Sequence, residues 1–247
     1  MTADVGAERR PNRIAGIAAL VAVIASFAGL LVVLSTTTGT GTDDAARRSL
    51  LEADESGGAL WGATALRVVS LLLLVVAAWQ LVRLVAARVA VQPALRWLCV
   101  VVPLLMAVGA VLSQLSLLDA ADTFVSGGPR TDARADDLLN EGGLQRLSAV
   151  AGIIFAVAFA GWLAWLSLAA TSAGLLTQTL GYWGVGAGVA MLLVPIAGQG
   201  LFLGWLGSVA LLLLGWWPGG IGPAWTSGTA EPWQPGLSGR RPREGAT

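Results

Sequence analysis

IAGIAALVAVIASFAGLLVVL, residues 14–34, contains no charged residue and no proline, and it follows directly on Arg9, Arg10 and Arg13. A helix needs about 20 apolar residues to cross a hydrocarbon layer of about 30 Å, because backbone polar groups must be satisfied within the helix there. A secretory signal peptide also starts with basic residues, but its apolar core is only about 7–15 residues long. The segment therefore predicts a retained transmembrane helix.

Three further segments have the same length and apolar character. They are residues 62–85, residues 95–117 and residues 147–168. Pro103 lies inside the second of them and is expected to kink that helix without ending it.

The last two predicted spans lie in one uncharged stretch, residues 174–217. This stretch is too long for one transmembrane helix and long enough for two. A proline and two glycines within residues 195–200 favour a tight turn, which divides the stretch into spans at 175–196 and 201–217. Because the second of these has only about 17 residues, near the lower limit for a span, a re-entrant pair is the alternative.

The composition excludes an ordinary soluble globule. The chain is 55% hydrophobic and 12% charged, with a mean hydropathy of +0.73, whereas soluble domains carry about 25% charged residues. All fifteen basic residues are arginine, histidine is absent, and Cys99 is the one cysteine. These absences exclude lysine Schiff bases, histidine bases, histidine metal sites and an internal disulfide. We expect no cofactor, no metal and no nucleic-acid partner.

The arginines also predict the orientation of the six spans. The side that holds residues 1–13, the 83–96 connection and the C-terminal tail carries nine arginines and four acidic residues. The opposite side carries five arginines and eleven acidic residues. Because cytoplasmic segments keep the excess of positive residues, both termini are predicted to be cytoplasmic.

The loops and the tail differ in composition from the spans. Each of the two long external loops is predicted to form a short acidic helix, over residues 43–55 and 132–140. The tail, residues 218–247, contains too much glycine and proline for regular structure. Its tryptophans and Trp217 favour a position along the lipid headgroups, and its last residues, 239–247, are expected to be disordered.

The C-terminal third resembles a known group of proteins. The run Gly215-Trp-Trp-Pro-Gly-Gly220 is followed by Gly222-Pro-Ala-Trp225 and Ala230-Glu-Pro-Trp233, and Gly174-Leu-Leu-Thr-Gln-Thr-Leu-Gly181 precedes it. Together these segments resemble uncharacterised multi-span integral membrane proteins of actinobacteria. The resemblance implies a bacterial inner membrane, and it implies no activity.

Arg67 lies inside the second predicted span, whereas Arg83 and Arg96 lie at span ends, so Arg67 is the first candidate for a functional site. Charges inside the bilayer cost several kcal/mol unless they are paired or hydrated. Arg67 therefore either extends its side chain to the external surface or has a function, in which it binds an anion or pairs with Asp119 or Asp122 at the external end of the third span. Gln114, which could share a vestibule with Asp119, completes this candidate polar site. The first alternative requires no function.

Small residues at a spacing of four predict close helix packing. The clearest examples are Gly184, Gly188, Gly200 and Gly204. Packing within the chain is the simplest interpretation, and Gly184 and Gly188 are the strongest candidates for a dimer face.

Two classes of function remain open. The near absence of ionisable residues from the spans favours a non-enzymatic membrane protein that packs with itself or modulates a membrane partner. The alternative is a small uncoupled transporter or channel subunit, whose pathway would use helices interrupted near Pro103 and Pro195. An enzyme is the least favoured class, because its acid–base groups would have to come from the loop carboxylates.

Overall fold

The computed structural model describes residues 5–36, 45–218 and 220–233, and the described part is almost entirely helical. No strand occurs among these residues, so the all-α prediction is confirmed for them. The helices are α1 (Val5–Thr36), α2 (Ala45–Glu55), α3 (Gly57–Arg88), α4 (Pro93–Ser126), α5 (Asp132–Glu141), α6 (Gly143–Ser172), α7 (Gln178–Leu193), α8 (Pro195–Leu214) and α9 (Ala224–Ser227).

Five of the helices are long and apolar enough to cross a membrane. They are Glu8–Thr36, Gly57–Arg88, Pro93–Ser126, Gly143–Ser172 and Pro195–Leu214. Large apolar side chains such as Ile24, Val108 and Ile153 are exposed on them. Such surfaces imply a bilayer environment, as the sequence predicts, because exposing apolar faces of this extent to water is energetically unfavourable.

The predicted span over residues 175–196 is shorter in the structure. Helix α7 has 16 residues, which at about 1.5 Å per residue gives about 24 Å, less than the hydrocarbon thickness of about 30 Å. Its start is set by Thr177, whose Oγ1 accepts a hydrogen bond from the amide of Leu180 at 3.1 Å. This helix is not among the five of membrane-spanning length.

The break between the last two predicted spans is also shorter than expected. It consists of Val194 alone, because Pro195 occupies the first turn of α8, where its missing N–H costs nothing. Residues 195–200 are therefore helical, and the prediction of a tight turn at these residues is wrong. Helix α8 ends at Leu214 and not at Trp217, since Gly215 adopts a left-handed conformation with φ +74° and terminates it.

The described residues group into two compact units. Unit 1 takes its residues from Met1–Val21, Leu73–Val102 and Ala158–Thr247. Its core contains the stacked and edge-on rings of Phe159, Trp162, Phe202 and Trp205, with centroid distances from 5.0 to 6.3 Å. These residues lie on α6 and α8, so aromatic packing joins the two helices within this unit.

Unit 2 takes its residues from Ala22–Leu72 and Pro103–Val157. The short helices α2 and α5 occupy the two acidic stretches and pack on α4. Their core consists of Leu50, Ala53, Ala120, Ala121, Phe124 and Ala135. Burial of these apolar side chains leaves Asp54 and Asp136 exposed, and residues 43–44 of the first predicted acidic helix lie outside the described residues.

The tail differs from its prediction. Helix α9 forms a single turn, and the side chain of Trp225 is 7% exposed, with its indole Nε1 donating to the carbonyl of Leu175 at 3.0 Å. Gly174 makes room for the tail, since a Cβ there would collide with the carbonyl oxygen of Glu231, and its φ is +73°. Residues 220–233 are therefore packed within unit 1, whereas the expected disorder at 239–247 lies outside the described residues.

Candidate functional site

A buried arginine ties together three parts of unit 1. The side chain of Arg88, at the end of α3, is 0% exposed, and its Nη2 lies 3.0 Å from Oε2 of Glu8 on α1. Its Nε donates to the carbonyl of Ala224 in the tail at 3.0 Å. A buried charge is stable only when it is paired and hydrogen-bonded, and Arg88 meets both conditions.

A second polar contact joins the same two helices. Nε2 of Gln80 on α3 donates to Oδ1 of Asn12 on α1 at 2.8 Å, and both side chains are buried. Asn12 lies four residues after Glu8, and Gln80 lies eight residues before Arg88, so each pair of residues shares a helix face. The two contacts thus fix the amino-terminal part of α1 on α3.

A cleft of about 320 Å³ opens beside these contacts. It is lined by the start of the α1 span, by the end of α8 and by the tail. The residues that line it are Glu8, Arg9, Asn12, Arg13, Leu212, Leu213, Leu214, Gly215, Ile221, Trp225 and Thr226. One wall is therefore polar and basic, and the rest is largely apolar.

The two cleft arginines carry charge that nothing in the described chain neutralises. Arg9 and Arg13 are exposed and four residues apart, so they lie on one face of α1. Neither forms an ion pair within the part of the chain that the structure describes. The nearby carboxylate of Glu8 is engaged by Arg88. The cleft therefore offers two guanidinium groups that have no ion-pair partner among the described residues, and such groups suit an anionic ligand.

The sequence alone missed this cleft. In the sequence, Arg9 and Arg13 contributed only to the prediction of how the spans are oriented. Their spacing of four residues indicated a shared face, but the apolar walls come from Leu214 and Ile221, about 200 residues further along the chain. The pairing of Glu8 with Arg88 carried no sequence signal, since eighty positions separate the two residues.

The polar site proposed around Arg67 is not assembled as an ion pair. Arg67 is exposed on α3, and it forms no ion pair with Asp119 or Asp122 in the described chain. Asp119 and Asp122 are both exposed on α4. Gln114 is buried, and its Oε1 accepts a hydrogen bond from Thr64 at 3.1 Å while its Nε2 has no partner among the described residues. The structure thus uses Gln114 to join α3 and α4.

Three of the four candidate glycines make close helix contacts. A Cβ on Gly188 would lie 3.0 Å from the carbonyl oxygen of Ala160, and one on Gly204 would lie 2.8 Å from the ring of Trp183. A Cβ on Gly184 would collide with Ser167, whereas Gly200 has open space around it. The face of Gly184 and Gly188 is therefore covered by α6 of the same chain, so it is not available as a dimer face.

Two buried polar atoms meet at Gly184. Oγ of Ser167 and Nε1 of Trp205 both lie beside the position that a Cβ on Gly184 would occupy. Both atoms are buried, and neither has a hydrogen-bond partner in the described residues. An unpaired polar group in an apolar interior is costly, so these two atoms mark a local exception in the packing of unit 1.

Among the described residues, no group of three or more Cys, Asp and Glu side chains is placed to hold a metal ion. Comparison of the chain with protein-family models, curated proteins and solved structures found no match.

Proposed function

We propose that this protein is a non-enzymatic, six-span protein of an actinobacterial inner membrane, with both termini cytoplasmic, that acts by binding a membrane partner at the basic cleft. The observation that carries the proposal is the cleft itself. Polar side chains within the helices, such as Gln80 and Thr64, form hydrogen bonds between helices, whereas Arg9 and Arg13 line the cleft and form no ion pair with any described residue. Unshared charge beside apolar walls is typical of a binding surface.

The contacts of Arg88 support an even number of crossings. This one side chain binds Glu8 at the start of the first span and Ala224 after α8. The start of the first span and the segment that follows α8 therefore lie side by side. In a bilayer both would lie on one side, and the excess of arginine on that side favours the cytoplasm.

The packing of α7 supports a sixth span despite its length. Gly181 faces Thr171 and Gly188 faces Ala160, so α7 runs antiparallel to α6. On its other side Gly204 faces Trp183, and Gly198 faces Met191. Helix α7 is thus antiparallel to both of its neighbours along its length. A helix of about 24 Å spans a bilayer that thins locally or where flanking residues reach the interface.

Reporter fusions test this topology. Fusions after Arg88 and at the C-terminus should report the cytoplasm, and fusions after Ser126 and after Val194 should report the outside. The fusion after Val194 is decisive for α7. A protein in which α7 fails to cross would place Val194 inside and the C-terminus outside, and that pattern would contradict the six-span proposal.

The binding role predicts a specific neighbour at the cleft. A photo-crosslinking residue at position 221, where Ile221 lines the cleft, should give one constant product in intact membranes. The control is the same residue at position 153, because Ile153 is exposed on α6 but does not line the cleft. Products that are equally diverse at both positions would contradict a binding site.

A transporter or channel subunit is the second candidate. The buried Ser167 Oγ and Trp205 Nε1 beside Gly184 favour it, since they have no hydrogen-bond partner among the described residues and polar atoms within a bundle can line a solute path. Proteoliposomes separate the two candidates. A solute flux that rises with the amount of protein, and that is lost on replacement of Ser167 by alanine, would favour the transporter.

A further inference from the structure

We propose that the ligand of the basic cleft is the headgroup of an anionic phospholipid from the surrounding leaflet. This inference rests on the proposed function, because it names the partner of the same site. The ligand's phosphate would bind Arg9 and Arg13, and its acyl chains would follow the apolar surface below them.

The position of the cleft along the helices matches the level of lipid headgroups. The apolar run of α1 starts directly after Arg13, and α8 ends at Leu214. Arg13 and Leu214 both line the cleft. A concave surface at the ends of two spans meets the boundary between hydrocarbon and water, where phospholipid phosphates lie. Basic sites between transmembrane helices on the cytoplasmic side are suited to anionic lipid headgroups.

The charge of the cleft selects an anionic lipid over a zwitterionic one. The carboxylate of Glu8 is 3.0 Å from the buried guanidinium of Arg88, so it is not free to bind a choline group. Arg9 and Arg13 have no ion-pair partner in the described chain. A guanidinium group binds phosphate oxygens through two parallel hydrogen bonds, and two such groups on one helix face can hold one phosphate from two sides.

An apolar row continues from the two arginines along the same face of α1. Ile17 follows Arg13 by four residues, and Val21 follows Ile17 by four. Their side chains are 52% and 43% exposed, respectively. Because residues four apart lie one above the other on a helix, this face of α1 is basic at the start of the helix and apolar toward its middle. This order matches the headgroup and the acyl chain of a lipid.

The size of the cleft fits a headgroup and not a whole lipid. Its volume of about 320 Å³ lies at the lower end of the range of about 300–1,000 Å³ for small-molecule sites. Trp225 and Ile221 form part of the wall, and the exposed Thr226 lies at the rim. The glycerol phosphate group would occupy the cleft while the acyl chains remain in the bilayer.

Native mass spectrometry of the full chain in detergent tests the proposal. The probes are phosphatidylglycerol and phosphatidylcholine with identical acyl chains. A hydrogen bond between charged groups contributes about tenfold to affinity, so Arg9→Gln with Arg13→Gln should weaken phosphatidylglycerol binding about a hundred-fold. Binding of phosphatidylcholine should be weak and unchanged.

Arg10→Gln is the matched control. Arg10 is exposed on the same turn of α1 but does not line the cleft, so its loss should leave phosphatidylglycerol binding within about twofold. If Arg10→Gln reduced binding as much as the double variant, the lipid would be held by general surface charge and the proposal would be wrong. Thr226→Glu adds a negative charge at the rim without altering α1. It should also reduce binding, which keeps the proposal testable if the double variant does not fold.

Two outcomes would overturn the lipid assignment and leave the binding role intact. One is competition by soluble glycerol phosphate at the same concentration as the lipid, which would indicate a free phosphate compound as the ligand. The other is a crosslink from position 221 to a protein together with equal binding of the two lipids. A diverse set of crosslinks at position 221 would instead contradict the proposed function itself.

Discussion

Arg88→Ala is expected to lower the free energy of unfolding by about 3–5 kcal/mol, because removal of one partner from a buried ion pair leaves the other charge uncompensated. The guanidinium is fully buried, and it binds the carboxylate of Glu8 and the carbonyl of Ala224. The variant therefore loses an anchor between α1 and α3 and the anchor of the tail. Denaturation in mixed micelles measures the loss, and hydrogen exchange over residues 224–233 should rise.

Arg83→Ala is the control for this prediction. Arg83 lies on the same helix, five residues before Arg88, but its side chain is exposed. An exposed charge contributes about 0–1 kcal/mol, so this variant should retain nearly all of the stability. Glu8→Gln removes the negative partner and leaves the contact with Ala224. A loss for Arg88→Ala no greater than that for Arg83→Ala would contradict the role of Arg88 as an anchor.

Gly198→Ala is expected to destabilise the protein by about 1–3 kcal/mol through overpacking, even though alanine favours helix formation. A Cβ on Gly198 would collide with backbone atoms of Met191 and Ala190 on α7. Backbone atoms cannot move aside as a flexible side chain can, so α7 and α8 would have to separate at the point where Val194 joins them. Denaturation in mixed micelles measures the cost.

Gly200→Ala provides the matched control on the same helix. Nothing lies within 4 Å of a Cβ built on Gly200, so this change should be neutral or stabilise the protein by up to about 1 kcal/mol. Gly198→Leu should cost more than Gly198→Ala because it adds bulk at the same contact. Equal stability of the Gly198→Ala and Gly200→Ala variants would show that the close approach of α7 and α8 is not needed.

The packing glycines show how far a small-residue pattern predicts contacts. Spacing of four residues selected Gly200 and Gly204 on α8, but Gly200 faces open space, whereas Gly198 makes the closest backbone contact of the glycines on this helix. A spacing pattern states which residues share a helix face and does not state which face meets a neighbour. In this chain Pro195 determines which face of α8 meets α7. It starts α8 after a break of one residue and so places Gly198 against the end of α7.

The proposed binding cleft shows the same limit of sequence patterns. The sequence directed attention to Arg67, since a charge within an apolar span is costly, and the structure leaves that side chain exposed and without an ion pair in the described chain. Arg9 and Arg13 acquire a possible binding role only through what surrounds them. Their cleft needs the end of α8 and the tail, and no local pattern connects those segments with α1.

The sequence by itself determined the helical fold and the presence of several helices of membrane-spanning length. An apolar run of about 20 residues has the length to cross a bilayer as a helix, and a helix satisfies its backbone polar groups within itself. It also located α1, α3, α4 and α6, whose ends lie two to nine residues outside the predicted spans, since charge and hydropathy along the chain are local properties. The tertiary structure decided the length of α7, the burial of Trp225 and the pairing of Arg88 with Glu8. These features depend on segments far apart in the chain, and their free energies arise only when packing brings those segments into contact.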